Sequence, residues 1–190
     1  KANELMAHTY AHLYGVPCTG LRFFTVYGPW GRPDMALFIF TRAILAGEPI
    51  KVFNAGLMRR DFTYIDDIAR GTILALKPLG YEIINLGGHE VITINDLIKL
   101  IEEVIGRKAL VQYGPPNPAD MFTNWADVSK AGELLGWEPQ YNMRAGVEKL
   151  VGDVVAEELA AFRAFQRFNF EQVAVLRGIF KYQMGRHQDM

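Results

Sequence analysis

Apolar positions along this chain recur at helical spacing in some stretches and gather into short strand-length runs in others. The clearest helical stripe lies in TINDLIKLIEEVIG, where Ile94, Leu97, Ile98, Ile101, Val104 and Ile105 share one face and Thr93 stands at the cap position. KANELMAHTYAHLYG places Leu5, Met6, Tyr10, Leu13 and Tyr14 along another stripe closed by Gly15. DMALFIFTRAILAG reads as a helix with Asp34 as N-cap and Gly47 as its stop. Acidic residues open DDIARGTILAL, as suits a helix dipole, and further helices are expected at 127–137 and from 143. Between these lie strand-like runs at 17–24, 50–53, 59–66, 81–88 and 110–113.

Strands alternating with helices at this spacing predict an α/β fold with some parallel pairing. The stretch from residue 156 differs. It mixes Phe162, Phe165, Phe168 and Phe170 with Arg163, Arg167, Arg177, Lys181 and Arg186 near helical spacing. It is expected to form one or two amphipathic helices that pack on the body or on a second copy, with contact to a membrane surface as the other reading. Glu157, Glu158 and Glu171 dilute the charge there and argue against nucleic acid.

Composition narrows the classes. The chain has 190 residues with 20 basic and 21 acidic side chains, so no global field points to nucleic acid or an anionic membrane. A single cysteine, Cys18, excludes an intramolecular disulfide framework and reads as a small buried hydrophobe. No apolar run approaches the roughly 18 residues of a membrane span, and a cytoplasmic location is the default expectation. The chain opens on Lys1 inside a helical stretch, which predicts the C-terminal portion of something longer. No Gly-x-Gly-x-x-Gly is present, so a dinucleotide enzyme of this type would have its phosphate-binding turn elsewhere.

Several residues could carry chemistry. Arg32 sits between Gly31 and Pro33, after Gly28-Pro29; so restrained, its planar fork suits a carboxylate or phosphate, or it is a surface arginine in a turn. Thr25 ends the run LRFF, either facing a ligand crevice or bonding its own turn. Arg59 and Arg60 should point to opposite faces of a strand, leaving one for a pocket or for a salt bridge with Asp61, Asp66 or Asp67. Phe53 could stack on a base or belong to the core. His8 and His12 share a helix face, but HTYAH has Thr9 where a metalloprotease motif needs glutamate, so solvated or core histidines are the expectation. His89 follows Gly87-Gly88 without an evident partner.

Together, LRFFTVYGPWGRPDMALF, MRRDFTYIDDIARG, YEIINLGG and NWADVSKAGELLGW resemble the extended short-chain dehydrogenase/reductase, or NAD-dependent epimerase/dehydratase, family. Within it they are most similar to the UDP-glucuronate 4-epimerases, over about residues 1–150. The resemblance implies the C-terminal part of a Rossmann-type parallel sheet plus a small α/β substrate-binding lobe over 1–155, with a helical tail at 156–190. It implies bound NAD, a UDP-sugar substrate, a 4-keto intermediate and a homodimer. The family's catalytic Tyr-x-x-x-Lys pair and Ser or Thr would lie upstream of Lys1, and Lys1 would be the catalytic lysine only if the register slipped by one. By the same resemblance Phe24 lies against the nicotinamide and Thr25 touches the sugar beside it. Arg32 grips the glucuronate carboxylate, Arg60 the diphosphate, Phe53 flanks the uracil and Asp120 lies near the ribose. Many relatives carry arginine three residues before that aspartate, where this chain has Asn117. Other readings are a decarboxylase or dehydratase on the same scaffold, or a non-catalytic nucleotide-sugar-binding or oligomerising fragment.

Overall fold

A computed structural model describes residues 1–184 apart from 30, 33, 89, 119, 168–169 and 177–178, with side chains described as far as residue 155. The elements begin α1 (Ala2–Tyr14), β1 (Cys18–Phe23), β2 (Thr25–Tyr27), α2 (Ala36–Ala46), β3 (Pro49–Val52), β4 (Arg59–Tyr64), α3 (Ile65–Leu74) and β5 (Tyr81–Leu86). They continue β6 (Val91–Thr93), α4 (Ile94–Ile105), β7 (Leu110–Tyr113), α5 (Ser129–Leu135), α6 (Met143–Arg167), β8 (Phe170–Leu176) and β9 (Ile179–Met184). A single 3-10 turn, Asn54–Gly56, separates β3 from β4. The α/β class expected from the alternating pattern is what forms.

The chain divides into two compact units. The first comprises 1–28, 57–94 and 118–146. Its β1 and β5 run parallel, from Cys18 opposite Tyr81 to Phe23 opposite Leu86. Its second sheet has β4 in the middle, parallel to β2 and antiparallel to β6. The core gathers Ile68, Ala75, Ile84, Leu86, Ala131, Leu135 and Trp137. Trp137 is fully buried, and its indole N–H donates to the Asp67 carbonyl at 2.9 Å, so this large side chain enters the core without an unpaired donor. α3 reaches that core because Gly71 leaves room for Leu86 and the Trp137 indole.

The second unit comprises 29–56, 95–117 and 147–190. β3 and β7 pair in parallel, Pro49 opposite Leu110 through Val52 opposite Tyr113. Strict alternation in β3 buries Ile50 and Val52 and exposes Pro49 and Lys51. α2 buries Leu37, Phe40, Thr41, Ala43, Ile44 and Ala46 and stops at Gly47 in a left-handed conformation. The stripe read on α4 is the buried one: Leu97, Ile98 and Ile101 are inaccessible to solvent or nearly so.

Several local expectations are corrected. The strand read at 17–24 breaks at Phe24 into β1 and β2. Met35, not Asp34, occupies the N-cap of α2 without a side-chain cap, because the Asp34 carboxylate is engaged by Arg32. The tail is helical only to Arg167; FEQVAVL and IFKYQM form an antiparallel pair of strands instead. Both runs are dense in β-branched and aromatic residue types, whose strand propensity runs against the near-helical spacing of the phenylalanines. The phenylalanine and arginine side chains named in the tail lie outside the described residues, as does His89. β6, three residues long, is too short a run to carry a periodic signal in the sequence.

Candidate functional site

The first unit carries four of the residues singled out. The chain passes from β1 to β2 through Phe24, whose N–H donates to the Leu86 carbonyl at 3.3 Å. Thr25 opens β2 opposite Phe62 of β4, and both Phe24 and Thr25 are half-buried. This is the carboxyl end of the parallel strand β1, the edge where open α/β sheets receive ligands. An aromatic face and a hydroxyl are therefore set together at that edge.

Two positions before Phe62, Arg60 lies half-buried on β4 while its neighbour Arg59 is exposed, as alternation requires. Arg60 Nη2 meets Asp120 Oδ1 at 2.6 Å, and Nη1 donates to the Arg59 carbonyl at 3.0 Å. The salt-bridge alternative named Asp61, Asp66 or Asp67; the partner is Asp120, which the resemblance had placed near the same ligand. Arg59 instead ties β4 to the 122–124 segment through its backbone, its N–H bonding Phe122 O at 2.8 Å and its carbonyl accepting from Asn124 N–H at 3.1 Å.

The other two lie in the second unit. Arg32 is exposed and holds the Asp34 carboxylate with two prongs, Nε to Oδ1 at 3.0 Å and Nη2 to Oδ2 at 2.5 Å. That hydrogen-bonded guanidinium lowers the Asp34 pKa below the usual carboxylate range, and the carboxylate in turn raises that of Arg32. The fork is thus shown in the geometry that recognises a carboxylate. Phe53, 42% exposed, follows β3, and a Cβ added at Gly114 would come within 2.7 Å of its ring.

The remaining candidates lie elsewhere in the first unit. His8 and His12 stack with ring centroids 6.5 Å apart, and His8 meets the Tyr81 ring edge-on. No group of three metal-ligating side chains exists among the described residues. Lys1 is exposed and pairs with Glu4 at 3.3 Å. Cys18 is a half-buried free thiol within β1.

Residues 1–87 match the NAD dependent epimerase/dehydratase family. The UDP-glucuronate 4-epimerase of Thermodesulfobacterium geofontis is 53% identical over 152 residues, covering 80% of this chain and 47% of that protein. The chain is therefore similar to members of the NAD-dependent epimerase/dehydratase family over most of its length. A crystal structure of UDP-glucuronic acid 4-epimerase from Bacillus cereus with UDP-glucuronic acid and NAD superposes at TM-score 0.78 and 37% identity, over 82% of this chain and 51% of that one. UDP-glucose 4-epimerase from Thermotoga maritima, solved with UDP-glucose, superposes at 0.79 and 33% identity, over 82% and 52%. The chain therefore spans about half the length of the relatives it matches.

The residues at the carboxyl end of β1 are of types that fit one end of a dinucleotide. Phe24 and Thr25, half-buried at the carboxyl end of β1, offer a ring face and a hydrogen-bonding group there. The sequence contains neither the glycine-rich turn for a pyrophosphate nor a Tyr-x-x-x-Lys pair.

Sequence reasoning offered Asp61 and Asp67 only as ion-pair partners of Arg59 or Arg60, and missed that these two carboxylates hold the site's frame. Asp61 is fully buried; its Oδ1 accepts from Gly88 N–H at 2.6 Å and its Oδ2 from Ala126 N–H at 2.9 Å. A Cβ at Gly88 would meet the Phe62 carbonyl oxygen at 2.5 Å, so this approach of the β5 end to β4 requires glycine. Asp67 is equally buried and accepts from Gln140 N–H, from Tyr141 N–H at 3.0 Å and from Arg70 at 2.8 Å. For Asp61 the available signal was an aspartate within a strand, which must find backbone donors if it is to be buried charged; Asp67, in the first turn of α3, gave no such signal.

Proposed function

We propose that this chain supplies the substrate-binding part of an epimerase that interconverts UDP-glucuronate and UDP-galacturonate with bound NAD. The observation that carries the reading is the two-pronged hold of Arg32 on the Asp34 carboxylate, the geometry in which a guanidinium would take the carboxylate of a uronate. Bound NAD would supply reversible hydride chemistry at the sugar C4. The chain's own residues bind and orient. Thr25 offers its hydroxyl to the sugar and Phe24 its ring to the nicotinamide. Arg60 pairs with the diphosphate, which requires it to share or release Asp120, and Asp120 is then free to accept from a ribose hydroxyl.

Arg32 has a further task in this reading. A 4-keto uronate is a β-keto acid, which loses CO2 readily once its carboxylate can rotate into alignment with the ketone. A fixed guanidinium holds that group in one orientation and favours epimerisation over decarboxylation. The homodimer is proposed on a separate ground: Leu5, Met6, Tyr10, Leu13 and Tyr14 of α1 are all more than half exposed, an apolar stripe that a second copy would cover.

The test is product analysis by NMR with UDP-glucuronate and the full-length protein that carries this chain. The native protein should yield UDP-galacturonate, and Arg32→Ala should shift product toward the decarboxylated UDP-pentose. An unchanged product ratio in an active Arg32→Ala protein would refute the carboxylate role.

A further inference from the structure

The turn after β3 is built with consecutive left-handed residues that are not all glycine. Asn54 has φ 50°, Ala55 φ 52° and Gly56 φ 69°. Side chains other than glycine adopt this region at a cost, so the neighbouring contacts must hold it there. Those contacts are specific. The Asn54 carboxamide bonds both main-chain groups of Asn117: Oδ1 accepts from the Asn117 N–H at 2.8 Å, and Nδ2 donates to its carbonyl at 3.4 Å. Asn95 Nδ2 donates to the Ala55 carbonyl at 2.9 Å, and Tyr113 O–H donates to Asn95 Oδ1 at 3.4 Å. Gly114 N–H donates to Val52 O at 2.8 Å, carrying the β3–β7 pairing up to the turn.

The consequence falls on Phe53, the residue just before the turn. Its ring lies against Gly114, where a Cβ would come within 2.7 Å of it, and the side chain remains substantially exposed. We propose that Asn54 is a positioning residue for nucleobase binding. By mimicking a strand partner to Asn117 and accepting a left-handed φ, it locks the 53–56 turn to the 114–117 segment. The open face of Phe53 is thereby presented as a rigid platform for a pyrimidine. Asparagine suits the task because it tolerates the left-handed region better than other side chains and carries a donor and an acceptor on one planar group. The inference rests on the reading of Phe53 as the base-flanking residue.

The test uses the full-length protein and two probes, UDP and inorganic pyrophosphate, with binding measured by calorimetry. Phe53→Ala should weaken UDP about tenfold, within the range that base–aromatic stacking supplies, and leave pyrophosphate unchanged. Asn54→Ala should do the same, raising KM at unchanged kcat, because uniform binding is lost. Asn54→Gly, which keeps the backbone and loses the clamp, should resemble Asn54→Ala. Asn54→Asp, which keeps the acceptor for the Asn117 N–H, should recover most of the affinity and carries the test if the alanine variant fails to fold. UDP affinity lost in Phe53→Ala but kept in Asn54→Ala would overturn the inference and leave the base-flanking reading standing. UDP affinity kept in Phe53→Ala would overturn both. Equal loss of UDP and pyrophosphate in Asn54→Ala would mean a general structural role and overturn the inference.

Discussion

Asp61→Asn is the substitution that most directly tests how the site is framed. Asp61 is inaccessible to solvent, and each carboxylate oxygen accepts one backbone N–H, from Gly88 and from Ala126. Asparagine keeps the shape and one acceptor. Its amide NH2 must then face one of those N–H groups, donor against donor. The variant loses one hydrogen bond to a charged group, about 1.5–3 kcal/mol, and strands a buried donor at a cost of about 1–3 kcal/mol. Removing the burial cost of the charge offsets part of this. A net loss of about 2–4 kcal/mol is expected. With a urea slope of about 2–3 kcal/mol per M, the unfolding midpoint should fall by roughly 1 M. The damage should reach function, because Arg60 is the adjacent residue and Asp120 lies on the segment that Ala126 anchors. UDP affinity should therefore fall together with stability. Urea titration followed by circular dichroism measures the first, calorimetry the second. A midpoint within 0.2 M of the parent protein, roughly 0.5 kcal/mol on the same slope, would refute the claim that this carboxylate holds the β5 end and the 126 segment in place.

Two further outcomes follow from charged pairs. Arg32 must exchange Asp34 for the substrate carboxylate, so Asp34→Asn should tighten UDP-glucuronate by no more than about fivefold, the modest scale of an exposed pair, and leave UDP-glucose unchanged. Weaker UDP-glucuronate binding in that variant would count against the exchange. Glu4 is held by Arg22 with two hydrogen bonds of 2.7 Å, and chiefly through them its pKa falls from 4.5 to about 2. The folded protein therefore keeps Glu4 ionised where the unfolded chain binds a proton. This contribution is complete above pH 4.5 and disappears as the pH falls toward about 2. In Glu4→Gln the stability difference from the parent should shrink over that window, and a constant difference across it in urea titrations would contradict the assignment.

What the sequence determined by itself is whatever depends on neighbours in the chain. The α4 stripe, the Gly47 stop and the opposed faces of Arg59 and Arg60 all follow from local periodicity and backbone conformation, and all three are present. The resemblance to the family, too, was legible, because runs such as GPWGRPDM and RRDFTYIDD set unusual residue types close together in the chain. Tertiary structure alone decided which charges meet. Arg60 found Asp120, sixty residues away, rather than the nearer Asp61, because strand alternation turns Asp61 inward to the Gly88 and Ala126 amides while Arg60 faces the 120 segment. The Asn54–Asn117 clamp was equally invisible, since a left-handed asparagine announces itself only when its distant partner is in place. The tail shows the same limit from the other side. Its aromatic spacing admits helix or strand, and pairing between Phe170–Leu176 and Ile179–Met184 selects the strand, because hydrogen bonds between strands are long-range terms that no local window contains.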